Sequence, residues 1–239
     1  MTADRPTVSV IIPALSEEKN LPGTIRSARA AGADEVIVVD GGSADGTLEV
    51  ARTMADMALS ESPGRAAQMN AGARAASAEI LLFLHADTRL PEGSIEAVRD
   101  AVRHGGCLGG AFSVRLEISP GATSYRNVML RLTGRMINFR SRIFSAYTGD
   151  QGIFARREVF DAIGGFPGIP LMEDVAFSRS LSRRGKTVLL PVRITTSGRR
   201  WESFGPLRTI LLMWGLRAAW RLGMSPDRCA GIYAGSRRG

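Results

Sequence analysis

Val8-Ser9-Val10-Ile11-Ile12-Pro13 and Glu35-Val36-Ile37-Val38-Val39-Asp40 are short apolar runs, each followed by a polar turn. Between them, Asn20–Ala31 carries helical spacing. Near-continuous apolar runs of this length read as strands covered on both faces, and strands alternating with helices make βαβ units around a largely parallel sheet. The pattern continues outward from these two runs. Asp45 is placed to cap a helix reaching Met54, Met57–Ser60 is a short third strand, and Gly64–Ala76 is a helix of small residues. Glu79–Leu84 is the next strand, and Pro91 opens a helix to His104.

The second half is less regular. Gly109–Ile118 reads as a strand, Thr123–Ser145 as one or two basic helices, and Ile153–Arg156 as a short strand. Arg157–Ile163 is a helix stopped by Gly164-Gly165, and Glu173–Arg184 is another. Thr187–Leu190 and Ile194–Thr196 read as edge strands, and Leu207–Leu222 as a closing helix. With no repeat, low-complexity tract or long polar linker, the chain reads as a single α/β domain with a helical C-terminal extension.

Across 239 residues the apolar fraction is 44% and the charged fraction 23%, ordinary for a folded protein. The net charge of +8 is less ordinary, and arginine carries nearly all of it, because Lys19 and Lys186 are the only lysines. Codon composition alone can produce that bias; the functional reading is a surface that attracts nucleotide diphosphates, anionic lipid or nucleic acid. Five arginines lie between Arg126 and Arg142 with no acid among them, a local positive patch. Cys107 and Cys229 form no disulfide framework and no CxxC zinc pair. The N-terminus lacks a signal-peptide pattern, and no uncharged apolar run reaches the ~20 residues of a membrane span. These features fit a cytoplasmic protein.

In open parallel sheets, ligands bind beyond the carboxyl ends of the strands. Three polar clusters follow expected strand ends: Ser16-Glu17-Glu18, Asp40-Gly41-Gly42-Ser43 and His85-Ala86-Asp87. Asp-Gly turns commonly do no more than turn the chain, but a parallel sheet would put all three clusters on one rim. No G-x-G-x-x-G follows the first strand and no G-x-x-x-x-G-K-[ST] occurs, so neither a dinucleotide fold nor a P-loop is supported. Pro13 and two acids hold the first turn instead, which suits contact with a base or ribose. Asp87 with a divalent ion, helped by Arg65 at a helix start, can offset diphosphate charge.

Ser9-Val10-Ile11-Ile12-Pro13 with Glu17-Glu18, then Val38 through Thr47, resembles the opening of the family 2 glycosyltransferases. Asn70-Ala71-Gly72, Leu82-Phe83-Leu84-His85-Ala86-Asp87, and Gly164-Gly165-Phe166 with Glu173-Asp174 continue the likeness in the family's order, over roughly 7–184. Gly64 through Asn70, Gly149-Asp150-Gln151 and Arg199-Arg200-Trp201 are similar to a narrower bacterial subgroup, the small radical-SAM/selenodomain-associated transferases, some linked to arsenosugar biosynthesis. The resemblance implies a GT-A fold, Rossmann-like, with a mostly parallel central sheet flanked by helices. It divides the chain into a nucleotide-sugar-binding half to about residue 108, an acceptor and catalytic half to about 204, and a basic tail.

The implied activity is inverting transfer of a sugar from a nucleotide-diphosphate donor, a UDP-sugar, to an unidentified acceptor. By that analogy Glu17 and Asp40, with Pro13 and Gly42, hold the nucleoside, Asp87 holds Mn²⁺ or Mg²⁺, and Asp174 is the general base. Asp150 is the rival base. Arg199, Arg200 and Trp201 resemble the Q-x-x-R-W element of larger members, near acceptor and diphosphate. The sequence also departs from the family pattern. His85 replaces the first acid of D-x-D and can itself lean toward the ion or a phosphate. Gly41 replaces a second acid, Ser16 an Asn, and Met69 a common arginine, which makes Arg65 the phosphate partner.

Two other functions compete. A sugar-phosphate nucleotidylyltransferase needs a Gly-rich basic loop where Pro13–Glu18 is acidic. A basic nucleic-acid binder would show a recognisable module and more than 6% aromatic residues; no nucleic-acid partner is expected. From Arg199 onward there are eight arginines, only Glu202 and Asp227 as acids, and all three tryptophans. The helix Leu207–Leu222 is apolar nearly all round, with Arg217 and Arg221 on one face, so it must bury itself. The core, a second subunit in a homodimer, and the inner face of the membrane as a peripheral contact are the three places open to it. The acceptor pocket is expected from Gly109–Ser145 and the tail.

Overall fold

The computed structural model describes residues 5–118, 123–199 and 205–236. Strand β1 (Val8–Ala14) is buried along its whole length, and helix α1 (Leu21–Ala30) returns the chain to β2 (Glu35–Asp40). Helix α2 (Thr47–Met54) leads to β3 (Met57–Ser60), α3 (Arg65–Ala75) to β4 (Ile80–Phe83), and a two-residue strand β5 (Thr88–Arg89) precedes α4 (Ser94–Arg103). Then come β6 (Gly109–Leu116), the long helix α5 (Ser124–Phe144), a 3-10 turn at Gly149–Gln151 and β7 (Ile153–Arg156). Helices α6 (Arg157–Ile163) and α7 (Glu173–Arg184), strand β8 (Thr187–Thr196), and helices α8 (Pro206–Arg221) and α9 (Pro226–Gly235) complete the described elements.

All eight strands join one sheet in the order β3-β2-β1-β4-β7-β6-β8-β5. β3, β2, β1 and β4 pair in parallel, β7 runs antiparallel between β4 and β6, and β6 pairs in parallel with β8. The expected βαβ half is therefore present. The two edge strands expected at Thr187–Leu190 and Ile194–Thr196 are instead one strand, and its end lies inside the sheet, with Thr195 and Thr196 facing β5. Its register against β6 shifts between Phe112 and Ser113, so that Pro191 and Val192 face no partner. A proline cannot donate to the ladder and is tolerated at such a bulge. The proline that divides the sequence pattern thus sits in a continuous strand.

Apolar residues fill both faces of the sheet. Val8, Val10 and Ile12 face one way, with Leu21 and Ile25 of α1 and Ile95 and Val98 of α4. Ile11, Ile37 and Val39 face the other, with Met69 and Ala73 of α3 and Phe177 and Leu181 of α7. Here Phe83, Phe160, Phe166 and Phe177 form an aromatic cluster, with Phe166 and Phe177 centred 4.4 Å apart and Phe83 edge-on to Phe166 at 4.8 Å. Such pairs add about 0.5–1.5 kcal/mol beyond their buried area. Helix α3 lies close on β1: a Cβ at Gly72 would stand 2.4 Å from the Ile11 side chain. Both cysteines are free and buried.

The C-terminal helices take an intermediate course among the expected fates. Leu216 of α8 and Cys229 of α9 pack on Leu171, Met172 and Val175 just before and within α7. The opposite side of α8 leaves Leu211 and Trp214 exposed. No helix among the described residues is long and apolar enough to cross a membrane.

Candidate active site

The parallel strands β1, β2 and β4 point their carboxyl ends to one rim, and the three polar clusters meet there. After β1, the Ser16 amide donates to Ser43 Oγ and the Glu17 amide to Thr47 Oγ1, each at 2.9 Å, so the first turn is stitched to the second. Asp40 is buried and has its carboxylate turned back on its own loop: Oδ2 accepts the Gly42 and Ser43 amides at 3.0 Å, and Oδ1 accepts the Ser43 hydroxyl. Gly42 takes φ +87°, a backbone setting that favours glycine. Pro13 is buried within β1 opposite Val39. Asp45 lies one residue outside the cap of α2 and accepts the Thr47 amide at 3.1 Å; the Thr47 hydroxyl is the chief cause that holds its carboxyl below the usual range.

Two side-chain amides absent from the expected set hold this region together. Gln68 donates from Nε2 to the carbonyls of Ala14 and Val39 at 2.8 Å, tying α3 to the ends of β1 and β2. Asn70 pairs with both backbone groups of Phe166, donating to its carbonyl at 2.8 Å and accepting its amide at 2.9 Å. The sequence signal for either is their place in the family-like stretch Gly64 through Gly72, which gives no hint of their backbone partners.

Arg199 closes the rim from the far end of the chain. Its Nη2 lies 2.8 Å from Glu17 Oε1 and 3.0 Å from Asp87 Oδ2, so the two carboxylates converge on one cation. Burial acts to lower the Arg199 pKa, but hydrogen bonds to Glu17 and Asp87 outweigh it and raise the value above its ordinary level. Arg200 and Trp201 lie outside the described residues. No group of three or more metal-ligating side chains occurs among the described residues. Two converging carboxylates still fit a divalent ion of the kind that takes one or two protein ligands and completes its shell from substrate phosphates.

The second half of the chain meets the rim at His85. Its Nδ1 lies 3.2 Å from Asp150 Oδ1, and its ring packs so closely on the 3-10 turn that a Cβ at Gly149 would stand 2.3 Å from Nε2. The Gly149 amide donates to Asp174 Oδ2 at 2.8 Å, and the Val175 amide to Asp174 Oδ1 at 2.7 Å. Glu173 is buried beside Asp174, with its Oε1 3.7 Å from Arg65 Nε. Burial, then the Asp174 charge, push the Glu173 carboxyl above its ordinary pKa against the pull of Arg65. For Arg65, burial works downward, yet Glu173, Asp174 and Asp150 together raise its pKa. Arg65 is thereby joined to the second-half carboxylates. Ser16, Ser145 and Met172 are the only described non-glycine residues at positive φ; Ser16 and Met172 immediately precede Glu17 and Glu173, and Ser145 ends α5 before the turn at Gly149. Strain of this kind collects at functional sites.

A cavity of about 330 Å³ opens between α5 and α8, with Asp150 at its wall together with Arg140, Phe144, Trp214, Arg217 and Arg221. It draws on the two segments expected to form the acceptor pocket. Arg217 and Arg221 line it together, as their shared helical face requires.

A sheet of this order, with paired carboxylates on its rim, defines a class that comparison with known proteins makes specific. The glycosyl transferase family 2 model matches residues 9–164, and the chain belongs to that family. It is 31% identical over 172 residues to a PGL/p-HBAD biosynthesis glycosyltransferase of Mycobacterium bovis, covering 66% of this chain and 62% of that relative's length. The mannosyltransferase PcManGT from Pyrobaculum calidifontis, solved with GDP-Man and Mn²⁺, superposes with a TM-score of 0.62 at 21% identity, over 98% of this chain and 70% of that one. Glucosyl-3-phosphoglycerate synthase from Mycobacterium tuberculosis, solved with Mg²⁺ and UDP, gives 0.58 at 20% identity, over 79% and 70%. The fold is GT-A.

Proposed function

We propose that the described residues form one domain that transfers a sugar from a nucleotide-diphosphate donor, a UDP-sugar, to an acceptor with inversion at the anomeric carbon. The observation that carries this reading is the convergence on one rim of Glu17, Asp87 and Arg199 from one side and His85, Asp150 and Asp174 from the other. The nucleotides in the solved relatives support the donor class. Glu17, Asp40 and Gly42 line the nucleoside end beside Pro13. Asp87, with Glu17 beside it, would hold Mn²⁺ or Mg²⁺, which neutralises charge on the departing diphosphate. Arg65, His85 and Arg199, with Arg200 and Trp201 following, serve the diphosphate and acceptor.

In the transfer, Asp174 takes the proton of the acceptor hydroxyl as its oxygen bonds to the anomeric carbon and the bond to the diphosphate breaks. Base catalysis of this kind is worth about 10²–10⁴-fold. The Gly149 and Val175 amides fix the direction of the Asp174 carboxylate. One observation favours Asp150 in that role: it is the acid on the cavity wall. The Gly64–Asn70, Gly149–Gln151 and Arg199–Trp201 stretches support membership of the small radical-SAM/selenodomain-associated subgroup. A cytoplasmic place at the inner membrane face accords with the exposed Leu211 and Trp214 of α8.

Calorimetry tests the donor site. UDP should bind the protein in a Mn²⁺-dependent manner, and Asp87→Ala should abolish that dependence at a stability cost of no more than about 1 kcal/mol, since the residue stands at a rim. Unchanged Mn²⁺-dependent affinity in the variant removes Asp87 from the site.

A further inference from the structure

Helix α5 carries a second apolar face that nothing among the described residues covers. At 3.6 residues per turn, Tyr125, Val128, Leu132, Phe139 and Ile143 fall within a sector of about 60°. They are 61%, 62%, 45%, 67% and 55% exposed. The buried residues of the helix, Leu130, Thr133, Gly134 and Ser141, lie on the other side. Arg131, Arg135 and Arg142 follow one shoulder of the stripe. An exposed apolar stripe bordered by arginines matches an anionic bilayer, where headgroups pair with the guanidinium groups and the apolar side chains enter the acyl boundary.

The cavity between α5 and α8 opens beside this stripe. Phe144 and Trp214 belong to its wall and are also exposed to solvent, so its mouth is apolar. The wall also carries Arg140, Arg217 and Arg221 against one acid, Asp150, whose carboxylate meets His85. Among the described residues, Arg140 Nε and Arg217 Nε are buried without a hydrogen-bond partner. Buried donors on charged groups are normally paired, so these two mark a place for an anion. Burial, with Arg221 adding to it against Asp174 and Asp150, lowers the Arg140 pKa, the direction expected of a cation short of a counter-charge.

We propose that this cavity is the acceptor site and that it takes an amphipathic anion, an apolar chain bearing a phosphate-type headgroup, drawn from an anionic bilayer on which the α5 stripe lies. The inference rests on reading the rim as a sugar-transfer site and adds the acceptor's chemical class and its route of entry.

Two probes test it on the intact protein. Vesicles of phosphatidylcholine and phosphatidylglycerol in a 3:1 ratio should sediment the protein at low salt and release it near 0.5 M, where the Debye length falls to roughly 4 Å. Pure phosphatidylcholine should retain little, and Val128→Glu/Phe139→Glu should stay in solution with a normal thermal melt. Decyl phosphate should bind at least about tenfold more tightly than inorganic phosphate or decanol, because headgroup and chain both find partners. Arg140→Gln/Arg217→Gln should lose that advantage, and Arg217→Lys, which keeps the charge, should recover part of it if the double variant melts early. Equal binding of decyl phosphate by wild type and both cavity variants overturns the proposal. So does a dimer that the stripe variant dissociates while vesicles never retain the protein. Mn²⁺-dependent UDP binding, measured on the same samples, reports on the transfer reading separately, and its absence would leave the lipid results standing.

Discussion

The rim at the ends of β1, β2 and β4 and the wall between α5 and α8 treat their polar groups in opposite ways. On the rim, Asp174 accepts a backbone amide at each carboxylate oxygen, Asp40 accepts two amides at one oxygen and the Ser43 hydroxyl at the other, and Gln68 and Asn70 are each tied to the backbone twice. On the wall, two guanidinium Nε atoms are buried unpaired and large apolar side chains face outward. A rim satisfied before any ligand arrives is preorganised, so that no reorganisation is needed when charge develops. A wall with uncompensated cations and exposed apolar surface is completed by what binds to it. On the proposed reading, the donor side is thus finished by the chain itself, and the acceptor side by its partner.

The hardest test of this division is the group assigned to chemistry. Asp174→Asn keeps size and shape but cannot take the proton; turnover should fall by at least about 10²-fold while UDP affinity stays put. If Asp150→Asn shows that loss and Asp174→Asn does not, the base belongs to the cavity wall.

Glycines probe the same contrast through stability. An alanine at Gly72 meets Ile11 and Val39, and overpacking of this kind costs about 1–3 kcal/mol. Gly215 in α8 has nothing within 4 Å of its added Cβ, so Gly215→Ala should stabilise by about 0.5–1 kcal/mol through helix propensity alone. Urea midpoints that move the same way in both variants would erase the distinction between a tight donor half and a loose wall.

The smallest expected effect concerns Glu173. Its raised pKa means that the folded protein holds this proton above the ordinary value of 4.5, where the unfolded chain has released it. The native state then binds more protons than the unfolded one, and this site's contribution to stability falls as pH rises from 4.5 through the folded pKa. Glu173→Gln should remove that slope, so the variant gains on wild type as pH increases. A stability difference that stays constant from pH 4 to 8 would show that burial does not govern this carboxyl.

How much of this could be read in advance follows the range of each interaction. The continuous apolar runs of Val8–Pro13 and Glu35–Asp40 made their strands plain, and three polar turns after strand ends placed the rim. The direction of Ile153–Arg156 could not be read, because a four-residue strand carries no sign of parallel or antiparallel pairing. Arg199 could be assigned to the site only by resemblance, since its partner Glu17 is 182 residues away. Asp40 reads as a nucleoside contact; that its oxygens also accept donors from its own turn is a bond between side chain and loop that residue identity does not reveal. The exposed stripe of α5 was legible only as a run of arginines, because its apolar residues look like a second core face until the buried side is known.

The antiparallel insertion of β7 has a consequence in time. Strand β4 finds its second neighbour not in the residues that follow it but in Ile153–Arg156, which pair with Ile80–Phe83. During synthesis, about 70 residues separate the two, so at about 5–20 residues per second the edge of β4 waits on the order of 4–14 s for cover. All four of its residues are apolar and buried in the finished fold. For those seconds the growing chain presents an open, hydrophobic strand edge, the kind of surface that pairs with other chains. Freshly made molecules should accordingly depend on dilution or on a holding chaperone until β7 has been translated.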